Sequence, residues 1–178
     1  MSTMSGTLSS TLAFITLAVS LLFFFIGFAS PYWLAGNIAI FGNVWYGLWQ
    51  TCYDILNECV HTDINTTQAW EKAVIAMEIL GFMALIGSCV MASLTYFRSS
   101  TTRRKLYKIM TGLLAIIAGG FMFLGVIIFG AEYDDTFVQL SWAFTFMIIA
   151  AITSIISGVL FILDIKSNQI MFEESSSP

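Results

Sequence analysis

Four long apolar stretches dominate this sequence and restrict most strongly how the chain can fold. They cover residues 8–29, 73–97, 109–130 and 140–163, and each is long enough to supply the roughly 20 mostly apolar residues that a membrane-spanning helix needs. The composition agrees, since 58% of the residues are hydrophobic, 10% are charged and the mean hydropathy is +0.85. So few polar side chains cannot cover a water-facing surface. The sequence therefore predicts a four-span integral membrane protein.

The basic residues predict the orientation of the spans, because Lys and Arg near span ends usually stay in the cytoplasm. Five of the seven basic residues lie between the second and third spans, and Lys166 follows the fourth. In a plasma-membrane protein, the expected cytoplasmic segments are then 1–7, 98–108 and 164–178, and the expected extracellular loops are 31–71 and 131–139. A signal peptide cleaved after Ala29 is the alternative for the first stretch. The long apolar run and the lack of basic residues before it argue against cleavage.

The cysteines divide between the first external loop and the second span. Cys52 and Cys59 lie in the loop, where oxidising conditions favour a disulfide; a reduced pair is the alternative. Cys89 lies in the span and is interpreted as an apolar packing residue. A tetrahedral zinc site needs about four ligands, and His61 has no partner cysteines beyond the loop pair. No metal site is therefore predicted. The sequence also has no glycine-rich phosphate loop, no second histidine and no paired intramembrane acid or base, so no cofactor or enzymatic activity is expected.

The first external loop is predicted to contain short β-strands. Residues 32–34, 38–41 and 44–46 are rich in β-branched and aromatic side chains, and the pairs 36–37 and 42–43, both Gly-Asn, predict turns between them. We expect a small antiparallel sheet. Because an isolated hairpin is only marginally stable in water, the disulfide and the nearby tryptophans are expected to seat this sheet on the helix ends.

A tryptophan–cysteine signature in the same loop resembles that of the claudin, peripheral myelin protein and epithelial membrane protein superfamily. Its residues here are Trp33, Gly47, Leu48, Trp49, Cys52 and Cys59. The resemblance covers nearly the whole chain and implies a claudin-like fold, an all-α transmembrane four-helix bundle, left-handed, that carries a small extracellular antiparallel β-sheet. The interval between the two cysteines is shorter than is usual for claudins, and the stretch from Trp33 to Gly47 is also short, as in the myelin-protein branch.

The same resemblance implies partners. Members of this superfamily meet laterally in one membrane and face to face across two membranes, so the expected partners are membrane lipid and further copies or relatives of this chain. Nucleic acid is not an expected partner. The chain ends in Ser-Ser-Ser-Pro, without the strand-forming terminus that PDZ domains bind, so a PDZ scaffold is not expected at the C-terminus.

Small residues recur at every fourth position in three spans and predict close helix packing. The rows are Ala84, Ser88 and Ala92, then Ala115 and Gly119, then Ala150, Ser154 and Gly158. The simpler interpretation is that these rows hold one bundle together; self-association is the alternative.

Two polar residues are singled out by their positions. Glu78 is the one carboxylate well inside a predicted span, where an ionised acid is costly and often functional. We expect it to face the bundle, either hydrogen-bonded to another helix or protonated, with a role in ion passage as the alternative. Asn65 begins an Asn-Thr-Thr acceptor sequence for N-glycosylation in the first external loop, and a glycan there would hinder tight face-to-face packing.

Two functional classes follow. The favoured class is a cell–cell contact protein that forms a junctional barrier or a cation-favouring paracellular route. Asp54, Glu58 and Asp63 are then the candidates for charge selectivity, because external acids enrich cations near a path; a solvated acidic surface is their alternative role. The second class is an accessory subunit that binds an ion channel or receptor in the same membrane.

Overall fold

The computed structural model describes residues 2–38, 42–63, 66–97, 101–132 and 138–176. The helices in these ranges are α1 (Ser2–Ala29), α2 (Ala69–Phe97), α3 (Thr101–Glu132) and α4 (Trp142–Ser176). The strands are β1 (Leu34–Ile38), β2 (Gly42–Tyr46), β3 (Gln50–Tyr53), β4 (Glu58–His61) and β5 (Val138–Leu140). Four helices are long and apolar enough to cross a membrane. The predicted architecture, four helices with a small antiparallel sheet, is confirmed.

The helices extend beyond the predicted apolar stretches. Residues 101–108, expected in a loop, form the first turns of α3, and α4 continues to Ser176 through the expected tail. At the other end, β5 occupies part of the expected loop 131–139. Hydropathy detects the part of a helix that matches the hydrocarbon core. A helix satisfies its own backbone hydrogen bonds, so it can continue into polar sequence where hydropathy no longer marks it.

Buried serines join the helices in pairs. Helix α1 packs on α4, α4 on α3, and α3 on α2. Each of these pairs has at least one buried serine hydroxyl that donates to a backbone carbonyl of the neighbouring helix. These bonds are Ser20 to Ala150, Ser157 to Ala13, Ser154 to Ala115 and Ser88 to Thr111, with lengths of 2.7–3.0 Å. Small side chains allow the backbones to approach closely enough for such bonds.

The sheet lies across one end of the bundle. Its strand order is β4-β3-β2-β1-β5, and every described pair is antiparallel. The predicted turn at residues 36–37 is wrong: Gly36 and Asn37 lie inside β1 and pair with Val44 and Asn43. The second predicted turn, at residues 42–43, is also wrong: Gly42 and Asn43 begin β2 and pair with Ile38 and Asn37, although Gly42 has a left-handed φ of 69°. Residues 44–46 lie in β2, whereas residues 39–41 of the predicted strand are outside the described residues.

Two adjacent glycines in α3 provide a test of the helix packing. A Cβ atom at Gly119 would lie 2.7 Å from the carbonyl oxygen of Ala151 in α4, whereas a Cβ atom at Gly120 would meet nothing within 4 Å. We expect Gly119→Ala to lower the free energy of unfolding by about 1–3 kcal/mol through overpacking. The matched control, Gly120→Ala, should be neutral or stabilising by up to about 1 kcal/mol through helix propensity. Denaturant titration in mixed micelles measures both; equal effects would show that α3 and α4 are not this close.

Candidate contact surface on the sheet

Two tryptophans attach the sheet to the end of α1. The indole Nε1–H of Trp33 donates to the carbonyl of Gly27, and that of Trp49 donates to the carbonyl of Phe28, both at 2.8 Å. The last four carbonyls of a helix have no partner within the helix, so these two indoles satisfy groups that would otherwise be unpaired at the base of the sheet. This is a specific task for both signature tryptophans, beyond the general preference of Trp for membrane interfaces.

The signature glycine lies where the chain after β2 crosses the chain after α1. A Cβ atom at Gly47 would lie 2.5 Å from the Cα atom of Pro31 and 2.7 Å from the carbonyl oxygen of Ser30. Only glycine allows this approach without moving the backbone. The next residue, Leu48, is buried in the hydrophobic core. The Gly-Leu-Trp run therefore supplies, in order, a close crossing, a core side chain and a helix cap.

The signature cysteines cross-link a hairpin that the sequence did not reveal. Cys52 in β3 and Cys59 in β4 are directly opposite each other and form a disulfide. Neither strand was predicted, because both are short and contain polar residues. The turn between them includes Asn57 with φ of 49°, a left-handed conformation that asparagine adopts more readily than most residues. The disulfide thus closes a β3–β4 hairpin at one edge of the sheet.

This hairpin has an exposed apolar surface. The side chains of Ile55 and Leu56 at its turn are 65% and 53% exposed, and Val60 on β4 is 56% exposed. Every residue of β4 is exposed, and within the described residues β4 pairs with β3 alone. An unpaired strand edge can add a strand from another chain. We call Ile55, Leu56 and Val60, with the free edge of β4, the hairpin surface.

The three acidic candidates have different surroundings on this hairpin. Asp54 accepts a hydrogen bond of 3.0 Å from the side-chain amide of Asn43, which itself accepts one from Asn37. Glu58 is exposed at the start of β4, and no cation pairs with it in the described part of the chain. The backbone carbonyl of Asp63 accepts hydrogen bonds from Thr66 and Thr67. Asp54 and Glu58 flank the turn, while Asp63 lies beyond β4.

Asn65 is outside the described residues, and its glycosylation stays a prediction.

Glu78 lies within the bundle, away from the sheet surface. Its side chain is fully buried and faces Gly125 of α3, where an added Cβ atom would lie 2.5 Å from Oε1. Neither carboxylate oxygen has a hydrogen-bond partner among the described residues, so the expected bond to another helix is not found there. An ionised carboxylate without a partner would be costly in this position.

A polar cluster at the opposite end of the bundle was missed by the sequence analysis. Lys108 of α3 forms an ion pair with the fully buried carboxylate of Asp164 in α4, and it also donates to the hydroxyl of Ser10 in α1. Ser10 in turn donates to the same oxygen of Asp164 at 3.0 Å. The cluster therefore joins three helices. Asp164 was assigned to the tail because it directly follows the fourth apolar stretch.

The position of Asp164 in the helical repeat could have revealed its burial. Spacings of four and three residues alternate along one stripe of α4 and mark a core-facing helix surface. Its members are Ala150, Ser154, Ser157, Phe161 and Asp164, all fully buried. A carboxylate that continues such a stripe is expected to face the other helices and to need a cationic partner.

The chain thus has four apolar helices in a bundle, and a cross-linked sheet is fixed to one end of the bundle by the capping tryptophans. These features define a multi-pass membrane protein with a small folded sheet outside the bilayer. A sequence model of the PMP-22/EMP/MP20/Claudin family matches residues 4–161. The chain belongs to this family, as the signature predicted. No individual curated protein matches the chain significantly.

Proposed function

We propose that this protein is a cell–cell contact protein of the plasma membrane, with its sheet outside the cell and both termini inside. Lys72 lies near the start of α2, at the sheet end of the bundle, but the five other described basic residues lie at the end away from the sheet and support this orientation. They are Arg103, Arg104, Lys105, Lys108 and Lys166. Copies or relatives would associate laterally and across two membranes to form a junctional barrier or a cation-favouring paracellular route.

The observation that carries the proposal is the hairpin surface. Two adjacent large apolar side chains, Ile55 and Leu56, are exposed at the turn of a disulfide-closed hairpin, where they gain nothing from contact with water. Exposed apolar groups beside a free strand edge are typical of surfaces that bind another protein. The capped base of the sheet holds this surface in a fixed orientation relative to the bundle. The simplest partner for such an edge is a second copy of this chain or another member of its family.

The test is expression of the tagged chain in epithelial cells that lack their own claudins. We expect enrichment at contacts between two expressing cells and a changed transepithelial resistance. The double variant Ile55→Ser/Leu56→Ser should lose at least about tenfold of the contact enrichment, since burying two such side chains contributes about 1.5–3 kcal/mol each. Leu140→Ser is the matched control, because Leu140 is 52% exposed on β5 at the opposite edge of the sheet.

The outcomes separate the two functional classes. Loss of enrichment in the double variant alone supports the contact function. Equal loss in Leu140→Ser would show that the hairpin surface is not the specific site. Uniform surface staining of the unmodified chain, with no electrical change, would contradict the contact proposal and favour the lateral accessory subunit, whose channel or receptor partner would then be sought by co-purification.

A cation preference is a separate prediction for the acidic residues. Carboxylates beside a conducting path enrich cations and disfavour anions, and Asp54, Glu58 and Asp63 are all exposed. We expect the triple variant Asp54→Asn/Glu58→Gln/Asp63→Asn to reduce the sodium-to-chloride permeability ratio to near that of free solution, as measured by dilution potentials. Glu132→Gln, an exposed acid at the end of α3, is the control. A preference that persists in the triple variant would refute the assignment.

A role of Glu78 in ion passage can be measured in the same cells. The residue lies between α2 and α3 rather than on the sheet, so its connection with a paracellular route would be indirect. A change of conductance in Glu78→Gln at unchanged contact enrichment would support a role in ion passage. Unchanged conductance would show that Glu78 has no such role.

A further inference from the structure

A groove lies on the outside of the bundle between α3 and α4, near the end away from the sheet. It has a volume of about 520 Å³. Its apolar walls are formed by Ile109 and Leu113 of α3 and by Ile162 and Ile165 of α4, and the lining is completed by Lys105 and Lys166. Leu113 and Ile162 are 47% and 39% exposed, so the groove opens to the surroundings of the bundle rather than to its interior.

The two lysines lie at the same end of this groove. Helices α3 and α4 are antiparallel, since Gly112 approaches Gly158 while Gly119 approaches Ala151. Lys105 precedes the apolar wall residues of α3, and Lys166 follows those of α4. From Lys105 to Leu113 the helix rises about 12 Å, at 1.5 Å per residue. The groove is therefore cationic at the helix ends and apolar toward the middle of the span.

Both lysines are available, in contrast to their basic neighbours. Arg104 donates to the carbonyl of Thr95 near the end of α2, and Lys108 is paired with Asp164. Lys105 and Lys166 are exposed, and within the described residues neither has an ion-pair partner. Arg103 is also exposed, but it does not line the groove.

We propose that this groove binds one anionic glycerophospholipid, with its phosphate between Lys105 and Lys166 and an acyl chain along Ile109 and Leu113. The complementarity in charge and in polarity carries the proposal, because a lipid has the same arrangement: an anionic head at the interface and an apolar chain directed to the bilayer centre. With the basic end of the bundle in the cytoplasm, the lipid belongs to the inner leaflet, whose anionic lipids attract such lysines. The site does not depend on whether the sheet mediates cell contacts.

The test uses the full chain in lipid nanodiscs, with spin-labelled phosphatidylserine and phosphatidylcholine of identical acyl chains. We expect a preferential association of phosphatidylserine that falls about fivefold in Lys105→Gln or Lys166→Gln and about twenty-five-fold in the double variant, the effect of roughly one interfacial charge each. Arg103→Gln is the charge-matched control and should change the association by less than about twofold. Equal losses in Arg103→Gln would overturn the proposal in favour of a diffuse attraction to the basic end.

A second pair of variants tests the apolar wall. Ile109→Trp fills the groove and should exclude the lipid with its lysines intact, whereas Leu106→Trp, at an exposed position of α3 that does not line the groove, should not. Binding that is unaffected by Ile109→Trp would overturn the acyl-chain placement and the proposal with it. Inorganic phosphate at millimolar concentration should displace little phosphatidylserine; complete displacement at constant ionic strength would identify a free-anion site instead.

Discussion

Replacing Trp33 by alanine is expected to lower the free energy of unfolding by about 3–5 kcal/mol, the usual cost of removing a large buried aromatic side chain. The indole is fully buried, and its ring contacts Phe129 of α3 and Phe144 of α4 with centroid distances of 4.9 and 5.9 Å. It also donates to the carbonyl of Gly27. One side chain therefore joins the sheet to three helices, and its loss leaves both a cavity and an unpaired helix carbonyl.

Two further variants separate these contributions. Trp33→Phe keeps most of the ring but removes the donor, and should cost about 1–3 kcal/mol for the unsatisfied carbonyl together with a smaller cavity. Trp142→Ala removes a tryptophan that is 45% exposed and stacks on Tyr32, so its cost should be well below that of Trp33→Ala. Denaturant titration in mixed micelles, followed by circular dichroism, measures all three. Equal costs for the two alanine variants would contradict the role assigned to Trp33.

Replacing Lys108 by methionine should also cost about 3–5 kcal/mol, because it leaves the carboxylate of Asp164 buried without its cation. Methionine keeps much of the apolar length of the lysine side chain, so the change acts mainly on the charge. The expected loss exceeds that of Ser10→Ala, which removes a neutral hydroxyl from the same cluster and should cost about 0.5–1.5 kcal/mol.

A double-mutant cycle tests the pairing directly. In Lys108→Met/Asp164→Leu both charges are absent, and replacing a buried ion pair by apolar side chains is often neutral or stabilising. We expect this double variant to regain most of the stability lost in Lys108→Met. Lys105→Met, a change at an exposed lysine three residues earlier on α3, should stay within about 0.5 kcal/mol. Additive losses at positions 108 and 164 would show that the two residues are not coupled.

The cluster around Asp164 illustrates what hydropathy misses. The fourth apolar stretch was predicted to end at residue 163, and the carboxylate at the next position was assigned to the tail. The apolar stretch ends before the first charged residue, although helix α4 continues past Asp164 and its buried stripe includes this residue. The ion pair joins residues 56 positions apart in the sequence, and no local pattern identifies such a partner.

For the sheet, too, some features could be predicted from the sequence and others could not. The signature residues could be chosen from the sequence because their types and spacing are distinctive, and the family was predicted correctly from them. The strands that hold the disulfide could not be chosen, because β3 and β4 are four residues each and partly polar. Gly36 and Asn37 were predicted as a turn from local preference, but pairing with β2 on one side and β5 on the other places β1 in the sheet.

The sequence by itself determined the number of membrane-crossing helices, the family and the residues of the signature. The physical reason is that a bilayer selects consecutive apolar residues, and such a signal is local and additive along the chain. Only the tertiary structure decided that two tryptophans cap α1, that Glu78 faces Gly125, that Lys108 meets Asp164, and that Ile55 and Leu56 are exposed at a hairpin turn. Each of these depends on how separate helices and strands pack together, and the free energy of such contacts belongs to pairs of distant residues rather than to any one segment.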